Sequence, residues 1–168
     1  MAFSIYQASV PVFLRGLDRL AVFLTKGEEF AAAQGIALSE LAEARLAPDM
    51  YPLIRQIQSA SDAAKGGGAR LAGIAPPSMP DTETTFPELQ ARVAKTVDFL
   101  NSLLPAQFEG AETRRVVVPT RVKELEFSGA DYLLGFAIPN FYFHVTTAYG
   151  ILRHKGVPLG KMDFLGTR

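Results

Sequence analysis

The sequence predicts an all-α fold: a four-helix bundle with short extra helices and a small β-hairpin between the third and fourth long helices. Three observations carry that expectation. Apolar residues recur at helical period in four separate stretches of the 168-residue chain. Period-two alternation is confined to one segment, "RRVVVPTRVKELEFSG". The connections are modest, and there is no internal repeat, low-complexity tract or second domain.

The first long helix is expected between Ser9 and Lys26, where Phe13, Leu17, Leu20 and Leu24 form one apolar stripe. Pro11 falls in its first turn, where a missing N–H costs little. Gly27 is expected to interrupt, leaving "EEFAAAQG" as a short helix closed by Gly35. "LSELAEARLAPDM" reads as a helical turn or two, stopped at Pro48. A second long helix fits Tyr51 to Ala72, with Pro52 at its start and Gly73 past its end. Leu53, Ile57, Ala60, Ala64 and Leu71 supply its apolar side, while Arg55, Ser59 and Asp62 share another face. Gly66 to Gly68 weaken it by about 1 kcal/mol each relative to Ala, and stay helical if another backbone packs close.

"IAPPSMPDTETT" is a proline-rich connection across one end of the fold. Thr85 and Glu88 match a capping box, and the third helix follows with Leu89, Val93, Thr96, Leu100 and Leu103 on one side. It ends at Pro105. Val116 to Val118, then Lys123, Leu125 and Phe127, suggest a charged-edged hairpin turning near Pro119 and Thr120. The fourth long helix begins near Ser128 to Asp131, kinks or breaks at Pro139 and closes at Gly156. Arg153 and Lys155 sit in its last turn, where cations complement the helix dipole.

Composition excludes several classes. Lys plus Arg and Asp plus Glu both total 17, so there is no basic excess to bind nucleic acid. With no cysteine, disulfides, thiolate metal sites and cysteine nucleophiles are absent, which fits a reducing cytoplasm. No basic residue precedes Arg15, so the start lacks the charged region of a signal peptide. Tyr132 to Leu152 is about long enough to span a bilayer, but carries Pro139, Asn140, His144, Thr146 and Thr147. It reads as a buried core helix, and no membrane association is expected. Gly66 to Gly68 follow helix rather than strand and lack a Gly-Lys-Ser/Thr sequel, so they are no phosphate loop. Nucleophile-elbow and paired-histidine metal motifs are also missing.

The chemistry-bearing stretch is "NFYFHVTTAYGILRHKG", residues 140–156. Asn140 and His144 stand one turn apart and project from one face. Ser59 and Asp62 on the second long helix could oppose them, together offering imidazole, amide oxygen and carboxylate to a divalent metal. His144 is the candidate general base, since its unperturbed pKa is near neutral. Asp62 would orient it if the two touch. Ser59 and Tyr149 are candidate ligand contacts, although Tyr149, like Tyr142, also reads as a packing residue with a wet tip. The structural alternatives are a hydrogen-bonded core histidine, an Asn140 that repairs backbone groups freed at Pro139, and an Asp62 paired with Lys65 or Arg55.

"MYPLIRQIQSASDAAKGGGARLAG", "DTETTFPELQARVAKTVDFL" and "NFYFHVTTAYGILRHKGVPLGKMDFLG" resemble a bacterial family described only as a domain of unknown function, within the DinB/YfiT-like superfamily of four-helix bundles. The resemblance covers nearly the whole chain and implies a cytoplasmic bundle, often a dimer, without an assigned reaction. DinB-like relatives commonly hold a divalent metal with three histidines, one on the second helix and a His-x-x-x-His pair a dozen residues before an "LRxxG" ending. "LRHKG", Leu152 to Gly156, places His144 at the second histidine of that pair and Asn140 at the first. The second helix has no histidine, leaving Ser59 or Asp62 as the nearest polar candidates. With one ligand of three matched, the resemblance implies a weakly held zinc or nickel, or a metal-free polar pocket for a small molecule. The competing expectation is a non-catalytic structural or stress-associated homodimer whose buried histidine is structural.

Overall fold

The computed structural model describes residues 4–120 and 122–166. Helix α1 runs without a break from Ile5 to Gln34. It starts earlier than the apolar stripe requires because Ser4 and Gln7 form a reciprocal capping box. Gly27 does not interrupt it, contrary to expectation. A Cβ there would lie 3.0 Å from the Phe86 ring, so glycine buys closeness to the next helix at a modest propensity cost. Gly35, at φ 65°, closes the helix in the left-handed region. Helix α2 is the short turn Leu38–Ala42.

Helix α3, Leu53–Leu71, is the centre of the bundle and packs against α1 and both long helices that follow. Pro52 is its N-cap, and Gly73 at φ 74° turns the chain out. All five expected apolar positions are buried, but so are Gln56, Gln58, Ser61 and Lys65. The three glycines stay helical, and what approaches them is side chain rather than backbone. Cβ atoms would sit 2.7 Å from Phe13 at Gly67 and 2.6 Å from Leu100 at Gly68. At Gly66 a Cβ would meet the Arg70 guanidinium.

Helix α4, Phe86–Asn101, opens on the Thr85–Glu88 capping box. Strands β1, Arg115–Pro119, and β2, Glu124–Ser128, pair antiparallel, with Val116 opposite Phe127 and Val118 opposite Leu125. Thr120 fastens the turn by accepting from the Val122 and Lys123 amides.

The last long helix is compound. An α-turn, α5 (Gly129–Asp131), leads into a π-helical segment, Tyr132–Ala137, and then into α6, Ile138–His154. Pro139 accounts for the π-segment: a proline ring clashes with the carbonyl four residues back, here that of Gly135, and a wider turn relieves the clash. Helix α7, Lys161–Leu165, returns against α1, where Lys26 and Asp163 pair at 2.7 Å. No helix among the described residues is long and apolar enough to cross a membrane.

One charged network ties the proline-rich connection to the bundle. Arg92 on α4 is 1% exposed and meets Asp62 at 2.9 Å, Asp81 at 3.0 Å and Glu83 at 3.0 Å. Lys65 also reaches Asp62, at 2.8 Å, and Arg55 reaches Asp81. Three cations thus face three carboxylates, and the charges balance. Gln58 donates to Glu83, so both Asp81 and Glu83 of the connection are held from α3 and α4 together.

A cleft between the central helix and the last helix

Residues Ser59, Asp62, Ala63 and Arg70 of α3 face Tyr132, Phe136 and Ala137 of the π-segment and Asn140 and His144 of α6. Val118 of the hairpin closes one end of the cleft, whose volume is about 270 Å³. The structure therefore brings together four of the five expected site residues. Tyr149 is the exception. It lies elsewhere, edge-on to Phe23 and Phe164, because five residues beyond His144 turn it to another face of α6.

His144 Nδ1 lies 2.7 Å from Gln56 Oε1. Gln56 is buried, and its Nε2 donates to the Tyr51 carbonyl at 3.1 Å. That second bond fixes the amide, since the reverse orientation would set two carbonyl oxygens against each other. Nδ1 must then carry the proton, and Nε2 is left as a lone pair with no protein partner among the described residues. Burial pushes the imidazole pKa below its ordinary value of 6.5, favouring this neutral form. The arrangement is that of an oriented base: one nitrogen is fixed from behind, the other open towards the cleft.

Asp62 does not orient His144. Its Oδ1 is shared between Lys65 and Arg92, the latter a partner the sequence did not suggest. Asn140 makes no side-chain hydrogen bond among the described residues, so it repairs no backbone group at Pro139 and its amide is open to the cleft. Ser59 likewise has no hydrogen-bond partner for its hydroxyl among the described residues. At the other end, Arg70 donates to the Tyr132 hydroxyl at 3.2 Å. Burial raises the Tyr132 pKa, against the opposing pull of Arg70, so the phenol keeps its proton.

The donor set does not fit a tight zinc or nickel site. No three His, Cys, Asp or Glu side chains converge among the described residues. What remains is one imidazole, one amide and a carboxylate already held by two cations.

Sequence reasoning missed Gln56, Arg70, Tyr132 and Phe136. A signal for Arg70 existed: it stands eleven residues, about three turns, beyond Ser59 on the same face of α3. Gln56 gave none, since glutamine on a helix is ordinarily solvated.

The architecture agrees with that of a solved protein. A DinB family member protein from Shewanella denitrificans, solved by crystallography, is similar over 98% of this chain and 93% of its own, at 40% identity and a TM-score of 0.92. The fold is thus a DinB-like helical bundle. Residues 5–165 match the family described as Domain of unknown function (DUF1993), and the chain belongs to that family. No curated protein matches it.

Proposed function

We propose that the α3–α6 cleft binds a small organic molecule and that His144 acts there as a metal-independent general base. The observation that carries this reading is the Tyr51–Gln56–His144 chain, which orients the imidazole and leaves Nε2 unprotonated towards the cleft. Asn140 and Ser59, both on the wall with no side-chain partner among the described residues, would position the ligand. A weakly held zinc or nickel is the variant of this reading that the sequence suggested, with Asn140, His144 and Asp62 as its ligands.

The test is a fragment screen by NMR on protein labelled at histidine, reading the His144 ring nitrogens. Compounds that move those signals in the wild type, and lose binding in Asn140→Ala and His144→Ala while the melting temperature changes little, are the expected result. If no compound moves them, and both variants only lower stability by about 1–3 kcal/mol, the polar groups are structural and the reading fails. Elemental analysis with zinc and nickel titration separates the metal variant. Stoichiometric metal that is lost in His144→Ala would replace the metal-free mechanism.

A further inference from the structure

We infer that the hairpin end of this cleft is a carboxylate-binding site built by Arg70, Tyr132 and Gly66, so that the ligand is a small monocarboxylate with an apolar body. The inference rests on the ligand-binding reading of the cleft and gives it a substrate class.

Two charged residues line the cleft, Asp62 and Arg70. Asp62 is neutralised by Lys65 and Arg92. Arg70 is not: no carboxylate lies within ion-pair distance of it among the described residues. It is half-buried, and its partner is the neutral Tyr132 hydroxyl. A guanidinium partly withdrawn from water without a counter-charge is a recognition group for an anion, above all a planar carboxylate taken by two parallel N–H donors. Tyr132 adds to this. Its oxygen accepts from Arg70, so its own proton is free to donate to the same anion.

The helix is shaped for that placement. Arg70 folds back one turn along α3, and its Nη1 lies where it would collide with a Cβ at position 66. Glycine at 66 therefore clears the bed on which the guanidinium lies. The neighbouring glycines serve packing instead, against Phe13 and Leu100.

The rest of the cleft sets the ligand's charge and body. One guanidinium matches one negative charge, and a phosphate dianion would leave a second charge uncompensated beside Asp62. Phe136 and Ala137 present apolar surface along the wall and Val118 adds to it at the hairpin end, which suits an aryl or short alkyl body. A carboxylate on Arg70 would direct that body along the wall that also carries His144.

The experiment titrates the full chain with benzoate and hexanoate, each against its neutral amide, and separately with inorganic phosphate, following the Arg70 and His144 side-chain signals by NMR. The expected result is that the carboxylates bind better than their amides. Arg70→Gln should weaken carboxylate binding roughly tenfold to a hundredfold while leaving the amides unchanged. Gly66→Ala should act in the same direction with a melting temperature unaltered or slightly raised, because a Cβ there displaces a flexible side chain rather than packed core. Amides that bind as well as acids, with Arg70→Gln without effect, would overturn the carboxylate site yet leave the cleft as a ligand site. Phosphate binding tighter than either acid would overturn the assignment of a monoanion. If no acid or amide binds up to its solubility limit, the carboxylate site falls. The His144 fragment screen then decides the cleft reading independently.

Discussion

His144 has one ring nitrogen committed and the other open, and the residue that decides which is Gln56 rather than any acid. A carboxylate behind the ring would favour the imidazolium; a neutral amide oxygen orients the ring while leaving it uncharged. Gln56→Ala should therefore release the tautomer, raising the population protonated at Nε2, as read from the imidazole nitrogen shifts. A ring that stays wholly in the Nδ1–H form would show that something else sets it. Burial makes the pH dependence one-signed. The folded pKa lies below the ordinary 6.5, so the unfolded chain binds the proton first as pH falls. Stability from this group is complete above about pH 6.5 and declines below it, through the depressed folded value. The wild type should lose more stability than His144→Gln between pH 6.5 and 5 in denaturant titrations; parallel curves would contradict it. Asn140 and His144 were legible in the sequence because an i, i+4 polar pair in an apolar helix has few places to point. Gln56 was not, because its role depends on which helix lies opposite.

At the scale of the helix, α3 shows why propensity alone misreads glycine. Three consecutive glycines weaken a helix on paper, yet each is placed by a particular side chain that would otherwise collide. The same logic explains why α1 passes through Gly27, where the sequence suggested a stop. The collisions differ in kind, and so do their expected costs. At Gly67 the obstacle is the Phe13 ring, which is fully buried, so Gly67→Ala should destabilise by about 1–3 kcal/mol. At Gly66 the obstacle is the far end of a long side chain, so Gly66→Ala should be neutral or stabilise by up to about 1 kcal/mol. Urea denaturation of the two variants side by side checks this. Equal losses would mean that Arg70 is packed as rigidly as Phe13. The hairpin and the two capping-box helices follow local rules closely enough to be read or readable in advance, because turn and cap chemistry is short-range.

For the whole molecule the decisive residue is Arg92, which the sequence did not single out. It appears as one arginine on an amphipathic helix, and only the tertiary fold brings Asp62, Asp81 and Glu83 around it from α3 and the proline-rich connection. Arg92→Met preserves bulk but removes the partner that three carboxylates share, leaving Asp62 to Lys65, Asp81 to Arg55 and Glu83 with no cation among the described residues. It should cost on the order of 3 kcal/mol by chemical denaturation and expose residues 74–84 to limited proteolysis. Unchanged stability would show that those carboxylates are solvated well enough to need no partner. The four-helix arrangement itself was legible from apolar periodicity and connection length. The charged network that fastens its longest connection was not, because ion pairs between distant segments leave no periodic mark.

The π-segment has a further consequence for how the chain tolerates change in length. Within an α-helix a step of four residues overshoots a full turn by about 40°, so Tyr132, Phe136, Asn140 and His144 would drift around the helix over three such steps. The wider turns between Tyr132 and Ala137 take up part of that drift, and all four reach the same wall. Deleting one residue here would let the helix close into a regular α spiral with little rotation of what precedes it, because six residues in wider turns advance through nearly the same angle as five in α-helix, about 500°. One residue removed from the regular turns of α6 between Asn140 and His144 would instead swing the hairpin, Tyr132 and its hold on Arg70 by about 100° out of phase with the base. The two ends of the cleft are thus kept in step by helical phase, and the π-segment is the stretch that can lose a residue and keep that phase, where the regular turns of α6 cannot.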